Sequence, residues 1–319
     1  MDKQIVHVDA LDTRISVAYQ NRMFVADQVF PIVGTDSLSN KFAKYSKQAF
    51  RAVIDSLDSG GYPRSYNLSM EPYGYFDAKG HGVESPLKDA VRNNADNPAE
   101  VDIQYRNFVQ GLIALARELE VINLITTSNI TQNTTLTTTN QWSYMSSGAS
   151  TADPIAAILA QIETIQQAIG VGSERMRLLL PRPVYRAIRT NTIARDYIKY
   201  TQNLLDKPIS PQNLASALDI EKVIVVDNIG LTSPEGETDA LAYNWPSAPG
   251  ASIALLYYCT GAPAPLTPNF GYIFRPKSEY FPLRTVRDEH GRLTIFISEE
   301  YRDTVMVEPN AAFLWVNPI

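Results

Sequence analysis

One stretch limits the folds open to this chain more than any other: Asn97 to Asn123, NPAEVDIQYRNFVQGLIALARELEVIN. Pro98 stands at a first helical position, where its missing N–H costs nothing. Asn97 can accept from the first-turn amides and Glu100 lies three residues on, so Asn97…Glu100 reads as a capping box. Apolar residues return at Val101, Tyr105, Phe108, Val109, Leu112, Leu115, Ala116, Leu119 and Ile122, one broad stripe at helical period. Such a rod spans roughly 40 Å at 1.5 Å per residue, well beyond the usual helix of about 11–12 residues. It predicts a backbone for other elements, although a long core helix of any mixed domain would look the same from this stretch alone.

Around that rod, 319 residues leave room for one large domain or two to three modules. Apolar residues make up 45%, enough for a sizeable core. Charged residues make up only 19% while there are 17 tyrosines, which suits a chain that covers much of its surface with partners. The net charge of −6 argues against dedicated nucleic-acid binding through counterion release, but not against an acidic protein that encloses nucleic acid. Cys259 is the single cysteine, so no internal disulfide can form and a reducing site of folding is expected. Its apolar run, IALLYYCT, should raise rather than lower the thiol pKa. The N-terminal MDKQIVHVDAL has no apolar signal core, and no run approaches 18 apolar residues, so neither a signal peptide nor a membrane span is expected.

In chain order, residues 1–31 read as an arm with a short amphipathic segment, Leu11 to Phe24, closed by Pro31. Residues 32–80 carry Lys41, Lys44, Lys47 and Arg51 with no acid among them, then a turn at Ser59-Gly60-Gly61 and a second extended run. Two such runs predict a long hairpin with little apolar material of its own, which must rest on other surface. After the long helix, a threonine-dense, uncharged stretch favours extended chain, with Leu136 and Trp142 to bury. At Asp153-Pro154 a capped helix begins, with Ile155, Ile158, Ile162, Ile165 and Ile169 on one face and Gly170 at its end. Strand Met176–Leu180, helix Pro183–Arg189, helix Pro211–Leu218 and strand Lys222–Asp227 complete an α/β module, and Ser252–Tyr258 adds a third strand. From Tyr272 onward the chain alternates as β-strands, with a hairpin turn at Glu289-His290-Gly291.

Catalytic patterns are scarce. His7, His81 and His290 lie in three separate segments without ligand-spaced neighbours, so no metal is expected. Phosphate-loop, dinucleotide and nucleophile-elbow motifs are missing, and no cofactor is expected. Glu299 and Glu300 on a strand should point to opposite faces, both to solvent. The basic residues Lys41, Lys44, Lys47 and Arg51 could grip phosphate or meet carboxylates of another subunit. Glu100 with Asp102 and Glu118 with Glu120, near the two ends of the long helix, supply an acidic counterpart within this sequence.

Taken in order, FVADQVFPIV, NKFAKYSKQAF…SGGYPRS, the long helix, DPIAAILAQIETIQQAIGV, RLLLPRPVYRAIRTN, RDYIKYT and ISPQNLASALDIEKVIVVDN resemble the major capsid protein of tailed bacteriophages, the Hong Kong 97-type fold. The resemblance covers nearly the whole chain through an ordered set of segments rather than one diagnostic motif. It implies an α+β architecture. An N-terminal arm would occupy 1–31 and an extended loop (E-loop) 32–82. A peripheral domain with its spine helix at 98–123 would occupy 83–150, and an α/β axial domain 151–270. C-terminal strands 271–319 would return to the peripheral domain.

The resemblance further implies a non-enzymatic shell protein that forms hexamers and pentamers of an icosahedral head around double-stranded DNA. It would be made in the bacterial host cytoplasm and end in the virion, with scaffold, portal and decoration proteins as further partners and no membrane. The E-loop would lie over a neighbour, with Lys41, Lys44, Lys47 and Arg51 meeting Glu100, Asp102, Glu118 and Glu120. The stripe of the spine should face the C-terminal strands. Some relatives crosslink an E-loop lysine to an asparagine beside a glutamate. Asn310 and Glu308 are present but do not align to that motif, so crosslinking is not expected. An encapsulin-like compartment of the same fold, and an α/β enzyme at 151–260, stand as alternatives.

Overall fold

The computed structural model describes residues 24–45, 70–95, 97–146, 148–202, 209–234, 236–263, 267–278 and 280–319. Most of the amphipathic segment that ends at Phe24, the Ser59-Gly60-Gly61 turn, Lys47 and Arg51 lie outside them. In chain order come α1 (Ala26–Val29), β1 (Ile32–Thr35), β2 (Ser39–Tyr45), β3 (Met70–Asp77), β4 (Lys79–Lys88), α2 (Asp89–Asn93) and the long helix α3 (Pro98–Leu124). Next are β5 (Gln132–Thr135), β6 (Met145–Ser146), β7 (Ala149–Ser150), α4 (Pro154–Ile169), β8 (Met176–Pro181), α5 (Arg182–Thr190), α6 (Thr192–Gln202) and α7 (Pro211–Leu218). The chain ends with β9 (Lys222–Val226), β10 (Ile229–Leu231), β11 (Leu241–Tyr243), β12 (Ile253–Tyr258), β13 (Gly271–Pro276), β14 (Tyr280–Asp288), β15 (Leu293–Met306) and β16 (Ala312–Val316).

Two five-stranded sheets carry the architecture. In the first, β15 is the central strand. It pairs antiparallel with β4 from Leu293 to Arg302, with β14 on its other edge, and with β13 at its far end; β1 then adds parallel to β13. The second sheet runs β5-β16-β12-β8-β9. Its centre is apolar on both faces, since every residue of β12 is buried, as a strand covered by helices requires. α4 packs its isoleucine face into this core. Asp153 accepts from the amides of Ile155 and Ala156 at the start of that helix, and Gly170 ends it in the left-handed conformation, φ 68°.

The long helix lies along the first sheet, against β15, β4 and β14. Its cap differs from expectation. The Asn97 side chain caps nothing, and the Asn97 carbonyl accepts from the Glu100 amide at 3.1 Å instead. The stripe also divides. Val109, Ile113 and Val121 are buried, while Phe108 and Leu119 face outward. A straight helix turns about 100° per residue, so a nine-residue apolar set wider than the sheet cannot all be covered from one side.

Strand pairing crosses the expected domain boundaries in three places. β1, assigned to the extended loop, is an edge strand of the first sheet; β16, assigned to the returning C-terminal strands, lies between β12 and β5 in the second; and β5, assigned to the peripheral domain, is an edge strand of that second sheet. A further helix, α6, fills the interval between α5 and α7.

Candidate assembly surface and the wedge behind it

Residues 24–32 form a wedge between the two sheets, and the most buried charges among the described residues hold it. Glu118 of α3 is fully buried. Its Oε2 accepts from the amides of Val25 (2.9 Å) and Ala26 (2.7 Å), the first donors of α1. Its Oε1 accepts from Asn228 Nδ2 (2.9 Å) and Trp245 Nε1 (2.5 Å). Burial pushes this carboxyl above its ordinary value, and the four donors pull it back. All four contacts donate, which suits a carboxylate.

From the other side, the Gln28 carbonyl accepts from Arg177 Nη1 (2.9 Å) and the Tyr257 hydroxyl (3.0 Å), and Gln28 Oε1 accepts from Lys222 (2.9 Å). Val29 and Phe30 are wholly buried, and Phe30 stacks on Phe270 with ring centroids 4.9 Å apart. Gly271 is glycine because a Cβ there would fall inside the Phe30 ring.

A chain of ion pairs continues from the wedge. Arg117 bridges Asp27 (2.7 Å) and Glu300 (3.2 Å); Arg302, with no exposed side-chain surface, bridges Glu300 (2.5 Å) and Glu120 (2.7 Å). His81 approaches Glu120 at 3.5 Å. Burial works against the Arg117 charge, yet Asp27 and Glu300 more than offset it, so its pKa rises. Glu300 therefore contradicts the expectation of solvent exposure, while Glu299 on the opposite face pairs with Arg284 at a half-exposed site. Glu299 and Glu300 do alternate across β15, but one of the two faces is covered by α3.

The hairpin of β2 and β3 is rooted on the first sheet by a small aromatic cluster. Phe274 stacks against Phe76 (centroids 4.4 Å) and Phe42 (5.7 Å). Lys41 is exposed, in register with Tyr75. Lys44 is paired through its backbone to Glu71, at a register shift between Phe42 and Lys44.

Of the four carboxylates named as landing points, Glu118 is fully buried within this chain. Glu120 has both oxygens on Arg302, and Asp102 accepts from Arg92 at 2.7 Å. Glu100 remains partly exposed in the first turn, without an ion pair among the described residues. Glu308 accepts from the Asn310 amide (3.2 Å) and Nδ2 (2.8 Å), capping the short helical turn Pro309–Ala311. Cys259 is buried, and burial raises its thiol pKa, as its sequence context implied.

No family model matches the chain. It is similar to the major capsid protein of Burkholderia phage BcepMu, with 22% identity over 316 residues, 96% of this chain and 95% of that one. Among solved structures it resembles a phage-related protein of Bordetella bronchiseptica RB50, with a TM-score of 0.70, 17% identity and 93% of each chain covered. It also resembles a chain from the capsid of cyanophage P-SCSP1u, with a TM-score of 0.57, 9% identity, and 94% and 89% covered. The fold is α+β and of the Hong Kong 97 type found in phage capsid proteins.

Proposed function

We propose that this chain is a major capsid protein, a structural subunit that assembles with copies of itself into the icosahedral head of a phage and is located in the virion. The observation that carries this reading is the match to the BcepMu major capsid protein over nearly the full length of both chains, together with the fold shared with phage capsid structures. The physical design supports it. The buried charges are spent in carboxylate–guanidinium pairs and amide contacts that lock segments together, and the hairpin of β2 and β3 is rooted at its base on the first sheet. A rigid subunit with an extended grip is what a closed shell requires of its building block.

In finer detail, hexamers and pentamers enclose double-stranded DNA without sequence-specific contacts, as the acidic net charge favours. The first sheet with α3 is the peripheral domain and the second sheet with α4–α7 the axial domain, with β1 belonging to the former and β5 and β16 to the latter. Scaffold, portal and decoration proteins are its further partners, the host bacterial cytoplasm is its place of synthesis, and it catalyses no reaction. The basic strand grips a neighbour through exposed pairs, Lys41 among them and Glu100 the foremost acceptor, each worth about 0–1 kcal/mol but repeated around the shell. The encapsulin-like reading has less behind it, because the full-length relative is a phage capsid protein. An α/β enzyme has no residue constellation to stand on among the described residues.

Sedimentation of the purified protein, followed by analysis of particle contents, tests this. Shell-sized particles whose native cargo is DNA are expected; a protein cargo would favour the compartment. Charge reversal at Lys44 and Lys47 should weaken assembly and flatten its salt dependence, and unchanged assembly would remove the basic strand from the account.

A further inference from the structure

The two five-stranded sheets end in edge strands that are not alike. β4 carries Lys79, Glu84, Pro86 and Lys88, and β14 carries Pro282, Arg284, Arg287 and a register shift after Phe281. β9 opens on Lys222 and buries most of its residues, and β1 stands directly behind Pro31. Charge, proline and irregular register keep an edge from pairing with another chain. β5 has none of these guards. No charged residue occurs between Glu120 and Asp153, and Asn133, Thr134 and Thr135 are all exposed.

The pairing of β5 with β16 uses only half of its main-chain groups. The strands run parallel, Gln132 to Thr135 beside Phe313 to Val316, and the Leu136 amide donates to the Val316 carbonyl at 2.9 Å. Main-chain groups alternate sides along a strand, so those of Gln132 and Thr134 also point to β16, and those of Asn133 and Thr135 point away. Among the described residues nothing pairs with the latter. The Asn133 side chain does not fold over its own edge, because its Nδ2 donates to the carbonyls of Thr127 (3.1 Å) and Ile130 (2.8 Å). Threonine favours extended chain, so the open edge is held straight.

We infer that β5 pairs antiparallel with β5 of a second copy across a two-fold axis, joining the second sheets of two subunits. Asn133 and Thr135 exchange main-chain hydrogen bonds with Thr135 and Asn133 of that copy, and Thr134 stands opposite Thr134. The lack of charge selects this occupant. Across a two-fold axis a strand meets its own sequence, so a charged edge would repel itself, whereas opposed threonines attract. So short an edge falls far below the roughly 1,000 Å² of a stand-alone interface, and the pair therefore forms as one contact among those of a shell. The inference rests on the capsid reading in that respect.

Thr134→Cys tests it in assembled particles. Residues opposed in a non-hydrogen-bonded pair have Cα atoms about 4.5 Å apart, within the disulfide range of about 4.4–6.8 Å. Thr134 is exposed, so the variant should fold, and Cys259 is buried and does not compete. Mild oxidation of the shells should give disulfide-linked dimers on a non-reducing denaturing gel. Thr134→Lys and Thr134→Asp, each alone, should raise the protein concentration needed for assembly about two- to fivefold, and an equal mixture of the two should restore it toward the parent's value. Shells that yield only monomer on oxidation, or a mixture that assembles no better than either variant alone, would overturn the pairing and leave the capsid reading in place. Absence of shells from the parent chain under every condition would overturn the capsid reading, and the pairing with it.

Discussion

Glu118→Gln is the sharpest probe of the wedge, because it keeps the shape of the side chain and changes only charge and one acceptor. In the native arrangement each oxygen receives two donors, Val25 and Ala26 on Oε2, Asn228 and Trp245 on Oε1. An amide has one oxygen. Whichever way it turns, its NH2 group faces two donors, and those two lose their acceptor. Each unsatisfied buried donor costs about 1–3 kcal/mol. Breaking a buried charged arrangement by changing one member costs about 3–5 kcal/mol, so the two routes agree on a loss of about 3–5 kcal/mol. At roughly 2 °C per kcal/mol for a chain of this size, calorimetry should show a fall of about 6–10 °C. Hydrogen exchange should quicken at Val25 and Ala26 before it quickens in β12, since the wedge loosens first. A melting temperature equal to the parent's, with unchanged exchange at those two amides, would refute the reasoning.

Three further perturbations follow from the same geometry. Arg302→Ala leaves Glu300 and Glu120 without their shared cation and should cost about 3–5 kcal/mol in denaturant unfolding. Gly271→Ala drives a methyl group into the Phe30 ring and should cost about 1–3 kcal/mol, with partial recovery in combination with Phe30→Leu. The Arg287 hydrogen bond holds the Asp89 carboxyl below its ordinary value. A depressed folded pKa contributes stability above the ordinary carboxylate value that is lost as pH falls through the folded one. The melting difference between the parent and Asp89→Asn should therefore narrow from neutral pH toward pH values below 3.8.

The sequence made α3, α4 and the strands of the α/β module legible because each carries its own punctuation: Pro98, Asp153-Pro154, Gly170, Ser210-Pro211. Local chemistry sufficed there. It did not suffice for Asn97, whose cap is made by backbone alone, or for α6. That helix follows Asn191, whose Oδ1 accepts from the Ala194 amide at 3.1 Å, an Asn cap without the proline or glycine that marks the neighbouring helices. Glu118 and Glu300 were illegible for a different reason. An acid beside a helical stripe or on a strand is ordinarily solvated, and the partners that reverse this for Glu118 lie 92 to 127 residues away. The crossing of β16 into the second sheet has the same origin. Its alternation marks a strand, but only its partners, β12 and β5, decide the sheet. Two extended runs without a core must rest on something, so the sequence implies a root for the hairpin, but its seat, Phe274, lies about 200 residues further on and only the fold brings it there.

The central claim is that this subunit is built to be gripped and to grip, and cryo-electron microscopy of the assembled protein tests it most directly. The account gives closed icosahedral shells in which the hairpin that begins at β2 lies across the neighbouring subunit, while residues 24–32 stay wedged between the two sheets of their own. Protein that remains monomeric under every assembly condition, or shells in which each hairpin folds back onto its own subunit, would contradict it.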